Sequence, residues 1–153
     1  MKFWIEVTSG DNAWIDKTSN NEISKRGLEA PSNNRYINFF KNIRSGDLVF
    51  TYLTRQLTEN KDWRSSIVGI SKVRKEYYEY RGYLYIETIN DIKLPIPIKY
   101  TDMLKQNGFS DGFKNMLKAA MQKYLISITE SDFNILLNIH SKNKRFIKSI
   151  NFI

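Results

Sequence analysis

Apolar and polar residues alternate from Lys2 to Thr8, with Phe3, Ile5 and Val7 on one face and Lys2, Trp4, Glu6 and Thr8 on the other. A period of two predicts a half-buried β-strand, with Trp4 on the outer face packed under a helix. Ser9-Gly10-Asp11-Asn12 reads as a turn that offers N-caps to a short helix through Trp14 and Ile15. Lys17 to Asn34 is polar and weakly periodic, so it is expected as an ordered loop with a helical turn and as a candidate pocket wall. Beyond Arg35 the period lengthens: Tyr36, Ile37, Phe39, Phe40 and Ile43 fall on one side of a helix, away from Lys41 and Arg44, and Ser45-Gly46 ends it.

Gly46 to Arg74 then carries two β-rich apolar runs, Leu48 to Leu53 and Ile67 to Val73, joined by a polar loop. That pattern predicts a β-hairpin with a long connection. The loop holds Arg55, Lys61, Trp63 and Arg64, which places cations and an exposed indole on a connection anchored by two strands. Tyr77, Tyr78 and Tyr80 lead through Gly82 into a strand from Tyr83 to Ile89, with Leu84, Ile86 and Thr88 on one face and Tyr83, Tyr85, Glu87 and Ile89 on the other. Pro95 and Pro97 mark Ile92 to Ile98 as an edge strand or an extended segment, because proline cannot donate to a central ladder. Thr101 to Lys105 reads as one helical turn, and Gly108 to Gly112 opens a helix through Met116, Leu117, Ala120, Met121 and Tyr124. Thr129 as N-cap with Asp132 three positions on starts a last amphipathic helix through Phe133, Leu136, Leu137 and His140. The tail from Ser141 is basic and then apolar: either it packs back on the sheet, or the chain is the N-terminal piece of a longer protein.

These elements fit one domain over residues 1–153, with 41% hydrophobic residues to fill its core. Apolar runs stay far short of the ~20 residues a membrane helix needs, and the chain opens directly on a strand, so a cytoplasmic, membrane-free protein is expected. The absence of cysteine excludes disulfides and thiolate chemistry. Charge adds more: the net +8 is unevenly spread, with four cations against five anions in residues 1–34 but eight against four in residues 101–153. A basic excess with 14% aromatics is the footprint of a nucleic-acid binder, the alternative being a merely lysine-rich surface. Tyr52, Arg55, Trp63, Arg64, Arg74 and the tyrosines from 77 to 85 interleave rings with cations, the combination that stacks bases while holding phosphates.

Catalytic patterns are weak by comparison. His140 is the single histidine and has no carboxylate near it in sequence, no metal-ligand spacing or phosphate loop is present, and Glu87 with Asp91-Ile92-Lys93 is the nearest approach to a nuclease signature. No enzyme, cofactor or metal is expected.

FWIEVTSGDNAWI, GDLVFTYLT, SSIVGISKV and the helices after GFSDGF, in this order, resemble the EVE domains of the PUA-like superfamily, relatives of the YTH readers, over about residues 1–140. The resemblance implies an α+β fold, a twisted PUA-like barrel of five to six strands flanked by short helices. It also implies a pocket that receives a flipped, often methylated base. By position, Ser9, Asp11, Asn12, Trp14, the Gly27 to Ser32 stretch, Tyr52, Arg55 and Phe109-Ser110 would surround that pocket, while Trp63, Arg64 and Arg74 join the nucleic-acid-binding set from the residues themselves. Relatives often place a tryptophan before the short helix where this chain has Gly27-Leu28-Glu29-Ala30-Pro31, so the cage is either incomplete or completed by Trp63. Such domains resemble the N-terminal specificity modules of archaeal McrB-type restriction NTPases. The expected partner is therefore DNA, with RNA as the alternative, and a C-terminal NTPase domain in a longer chain. A protein-interaction adaptor is the competing class.

Overall fold

The computed structural model describes residues 1–8, 27–32, 34–55 and 61–152. Its elements are β1 (Phe3–Thr8), β2 (Gly27–Pro31), α1 (Asn34–Asn42), β3 (Leu48–Leu53), a 3-10 turn (Lys61–Trp63), β4 (Ser66–Val73), β5 (Tyr78–Tyr80), β6 (Tyr83–Lys99), α2 (Tyr100–Leu104), α3 (Asp111–Lys118), β7 (Leu125–Ile128), α4 (Glu130–Ile139) and α5 (Ser141–Ser149). The strands form one curled, mixed sheet in the order β2-β6-β4-β3-β1-β7, with β5 paired to β6 off that path. Among the described residues only β1 and β3 run parallel.

A parallel pair is stable when both its faces are covered, and here both are. Phe3, Ile5, Val7, Leu48, Phe50 and Tyr52 face the main core, which α2 to α5 close with Met103, Phe113, Leu136 and Ile147. Phe133 of α4 packs against the rings of Phe3 and Phe50 at 4.6 and 4.9 Å, tying the helical layer to β1 and β3 together. Trp4 and Val49 face the other way, into a second core with Leu28, Leu84, Ile86, Phe40 and Ile43 under α1. The alternation in β1 therefore sorts residues between two cores, and the strand is buried on both faces rather than half-buried. Even Glu6 is buried, accepting a 2.8 Å hydrogen bond from the Tyr124 hydroxyl.

Asp47 fixes the start of the parallel pair. Its buried carboxylate accepts from the Lys2 amide at 2.8 Å, the Arg44 amide at 2.9 Å and the Trp4 indole N–H at 3.1 Å. Its own carbonyl accepts from the Val73 amide, so β1, the end of α1, β3 and the end of β4 meet on one residue. Gly46 precedes it at φ +92°, a left-handed conformation that glycine reaches without the Cβ clash of other residues.

Several elements differ from expectation for identifiable reasons. The two segments expected around Asn90 are one 17-residue strand, β6. Its first part, Tyr83 to Glu87, pairs with β2 and β5, whereas Ile92 to Lys99 pairs with β4 alone among the described strands and is an edge, as expected. Its prolines are tolerated because the register with β4 slips there: Ile67 pairs Ile98 and Gly69 pairs Lys93, leaving Leu94 to Pro97 in a bulge opposite Val68. Asn143 of α5 replaces the missing ladder by accepting from the Ile96 amide at 3.0 Å and donating to the Ile96 carbonyl at 2.8 Å. The tail thus packs back on the sheet, with Ile147 and Phe152 in the main core. Gly27–Pro31, expected in a loop, is strand β2, and α3 ends at Lys118 rather than running on to Tyr124, which leaves room for the unexpected β7. Phe39 of α1, expected on its buried side, is 40% exposed.

The capping box on α4 is present, and Asp132 does more than close it. Fully buried, its carboxylate accepts from the Thr129 amide at 3.1 Å and from the Ser110 amide and hydroxyl at 2.7 and 2.6 Å, joining the starts of α3 and α4. Two outcomes are expected in urea denaturation. Asp47→Ala orphans three donors and should lower the unfolding free energy by about 3 kcal/mol with the denaturant slope unchanged. Thr129→Ala should cost about 1 kcal/mol, the value of a cap, and Asp132→Ala distinctly more, because it strands the α3 loop as well.

Candidate nucleic-acid interface

The far end of the β3–β4 hairpin gathers most of the described site residues. Leu53 lies opposite Ser66, and Ser66 lies opposite Lys99 of β6, so the end of β3, the start of β4 and the end of β6 share one edge of the sheet. Thr54 extends β3 by donating to the Thr8 carbonyl at 2.9 Å, which brings the end of β1 to the same edge. Ser9, Asp11, Asn12 and Trp14 continue the chain from there but lie outside the described residues.

Trp63 sits in the 3-10 turn that covers this edge. Its indole is not exposed: at 8% accessibility it packs on Leu53 and Val68 in a small core of their own. The polar loop drew the sequence reading toward solvent, but the apolar end of the hairpin needs a cover, and the indole supplies it. Lys93 lies over the ring at 4.3 Å, a cation–π contact that leaves the ammonium at the surface. Lys99 donates to the Asp62 carbonyl at 3.3 Å and holds the same turn. Arg55 and Lys61 are exposed and Arg64 is partly buried beside them. Among the described residues, the turn at Trp63 thus carries Lys61, Asp62 and Arg64, and Lys93 and Lys99 of β6 reach it.

Tyr52 is on β3 but faces the main core, 4% exposed. Burial raises its phenol above the ordinary tyrosine value, a hydrogen bond with the Ser65 side chain partly offsets this, and the neighbouring Tyr100 adds to the rise. The phenol therefore stays neutral at physiological pH and serves the site by fixing Ser65. Ser65 holds a left-handed φ of 51°, uncommon for a residue with a Cβ, and its carbonyl accepts from the Tyr100 amide at 2.8 Å.

Two residues of the set stand apart. Arg74 is exposed past the other end of β4, about 25 Å from Ser66 at ordinary strand rise. Ser110 caps α3, and its hydroxyl and amide are both engaged by Asp132. Phe109, expected with it at a pocket mouth, is in the main core with its ring edge-on to Phe113 at 4.6 Å. Conversely, sequence reasoning did not place Lys93 and Lys99 at the site. Their signal was that they are the charged positions in the apolar run from Ile92 to Lys99.

The nuclease-like group separates in the same way: Asp91 is buried and accepts from the Thr88 hydroxyl at 2.9 Å, whereas Lys93 lies over Trp63. Among the described residues no three His, Asp or Glu side chains cluster as metal ligands. His140 joins α4 to α5, with Nε2 4.0 Å from an Asp102 carboxylate oxygen that is distant in sequence. No helix among the described residues is long and apolar enough to cross a membrane.

Comparison with solved structures returns the same architecture. Rpa0253 from Rhodopseudomonas palustris superposes with a TM-score of 0.63 at 16% identity, over 92% of this chain and 94% of that one. The human THYN1 protein, solved in complex with 5-methylcytosine-containing DNA, gives 0.62 at 15% identity, over 91% and 97%. The N-terminal domain of Staphylothermus marinus McrB gives 0.56 at 11% identity, over 89% and 93%. No curated protein matches by sequence. The EVE domain profile matches residues 2–139. With the β1–β3 pair, the curled sheet and the helices through α4 accounted for within that span, this chain belongs to the EVE domain family.

Proposed function

We propose that this chain is a non-catalytic DNA-binding module. The hairpin-end cations hold the phosphate backbone, and a pocket at that edge receives one flipped, methylated base. The observation that carries this reading is the group of cations at the Trp63 turn among the described residues, Lys61 and Arg64 in the chain with Lys93 and Lys99 reaching it from β6. Its chemistry is positive charge, which binds phosphates and needs no general base. The DNA complex of the structurally similar THYN1 supports the substrate class, and the similarity to an McrB N-terminal domain supports a role as the targeting part of a restriction system, coupled to an NTPase domain. In that setting Ser9, Asp11, Asn12 and Trp14 shape the pocket, Tyr52 supports it from the core through Ser65, Arg55, Trp63 and Arg64 form its rim, and Arg74 and Ser110 contribute from farther away.

Fluorescence anisotropy with matched duplexes, unmodified and carrying 5-methylcytosine, tests the reading at two salt concentrations. Affinity should fall steeply with salt, because each neutralised phosphate releases counterion. Lys93→Ala and Arg64→Ala should each weaken binding evenly across sequences and reduce the salt slope by about one. The methylated duplex should bind more tightly. Equal affinities would remove the methylated base from the proposal and leave a backbone binder; no binding at low salt would remove the proposal as a whole.

A further inference from the structure

The β5–β6 hairpin carries a feature that the hairpin-end site does not use. Tyr78 pairs with Tyr85 across the strands, and Tyr80 pairs with Tyr83, so four phenol rings project from one face in a two-by-two array. Neighbouring rings are already in contact, with Tyr78 and Tyr85 stacked at 5.5 Å and Tyr83 and Tyr85 tilted at 6.4 Å. The opposite face is core: Leu84 and Ile86 are buried under α1. The array is therefore anchored from beneath, yet Tyr78, Tyr80 and Tyr83 are 39%, 55% and 44% exposed. Continuing the same face, β2 places Glu29 beside Tyr85 and Pro31 beside Tyr83.

Cations are built into the array. Lys75 lies 5.4 Å from the centre of the Tyr78 ring, and the Arg81 guanidinium 5.0 Å from that of Tyr80. Arg81 and Gly82 form a two-residue turn with φ of 50° and 77°, a geometry that favours asparagine or aspartate followed by glycine. An arginine in the first of these positions is held against its own backbone preference, with its charge folded onto the ring platform.

We propose that this tyrosine face is a second nucleic-acid contact, one that stacks the unpaired bases of a single strand while Lys75 and Arg81 hold the flanking phosphates. The inference rests on the nucleic-acid reading above, but at a different surface and for a different form of the ligand. Ring faces set on a rigid sheet with cations at their margins match the alternating flat and anionic groups of a single strand. A second copy of the chain is a poor occupant, because it would bring another net charge of +8 against the same cations.

The test compares wild type with the double variant Tyr80→Ser/Tyr83→Ser, titrated into a labelled 12-nucleotide thymidine strand and into a duplex of the same length. The altered side chains are surface rings, and an unchanged unfolding midpoint will verify the fold. Binding of the single strand should weaken by at least about tenfold, the loss expected for one stacked base, with duplex affinity unchanged. Tyr80→Phe/Tyr83→Phe keeps the rings and should retain wild-type affinity for the strand. Single-strand binding that is absent in wild type or unaffected by the serine variant would overturn the proposal, as would an equal loss for duplex and strand. So would a wild-type dimer that the variant breaks. Duplex binding that persists through any of these outcomes would leave the hairpin-end reading standing; a single strand bound through the tyrosines with no duplex binding would do the reverse.

Discussion

The carboxylate of Asp47 is the constraint on which the sheet depends. A parallel pair cannot be closed by a tight turn, so β1 and β3 must be brought together across a long excursion and held by something other than their connection. Asp47 does this by gathering three donors from the start of β1, the end of α1 and the Trp4 side chain into one buried acceptor set. Because β1 and β3 are in register from Phe3–Leu48 to Thr8–Leu53, fixing the pair at one end places Thr8 and Leu53 together at the other. The candidate interface is built on that far end. The interaction that determines the fold and the surface proposed to bind nucleic acid are thus opposite ends of the same two strands.

The helical layer is attached by the same device. Asp132 binds the start of α3 to the start of α4, and Asn143 satisfies the backbone of the β6 bulge from α5. Each is a buried polar side chain whose hydrogen-bonding capacity is taken up by main-chain or hydroxyl groups, which makes burial tolerable and the docking geometry specific. The bulge matters for the site as well. It lies between Lys93 and Lys99, so it lets one strand deliver a cation onto the Trp63 ring and another beneath the turn that carries it.

Much of this was legible in the sequence where local chemistry decides structure. The Gly46-Asp47 turn, the hairpin it opens, the Thr129/Asp132 cap and the shared face of Leu84, Ile86 and Thr88 all follow from short-range rules. What was not legible depends on distant partners. β1 reads as half-buried because alternation cannot reveal a second core on its other face. β2 and β7 are short strands whose pairing is supplied by β6 and β1. The prolines of β6 do mark an edge, since Ile92 to Lys99 pairs with β4 alone among the described strands, but the bulge opposite Val68 is visible only in that register. At the site, loop position made Trp63 look exposed, whereas the uncovered end of the hairpin draws it inward; Arg74 and Ser110, adjacent to the set in composition, are separated from it by the length of a strand and by a helix cap.

The most direct measurement of where this chain holds nucleic acid is an amide and indole NMR titration of the labelled protein with a short methylated duplex. The indole N–H groups of Trp63 and Trp4 form a built-in contrast, one at the hairpin end and the other bonded to Asp47 at the opposite end of the sheet. Trp63 and the amides around Thr54, Ser65 and Lys99 are expected to shift with added duplex while Trp4 stays in place. Saturable binding that leaves Trp63 unmoved and shifts α4 and α5 instead would contradict the site.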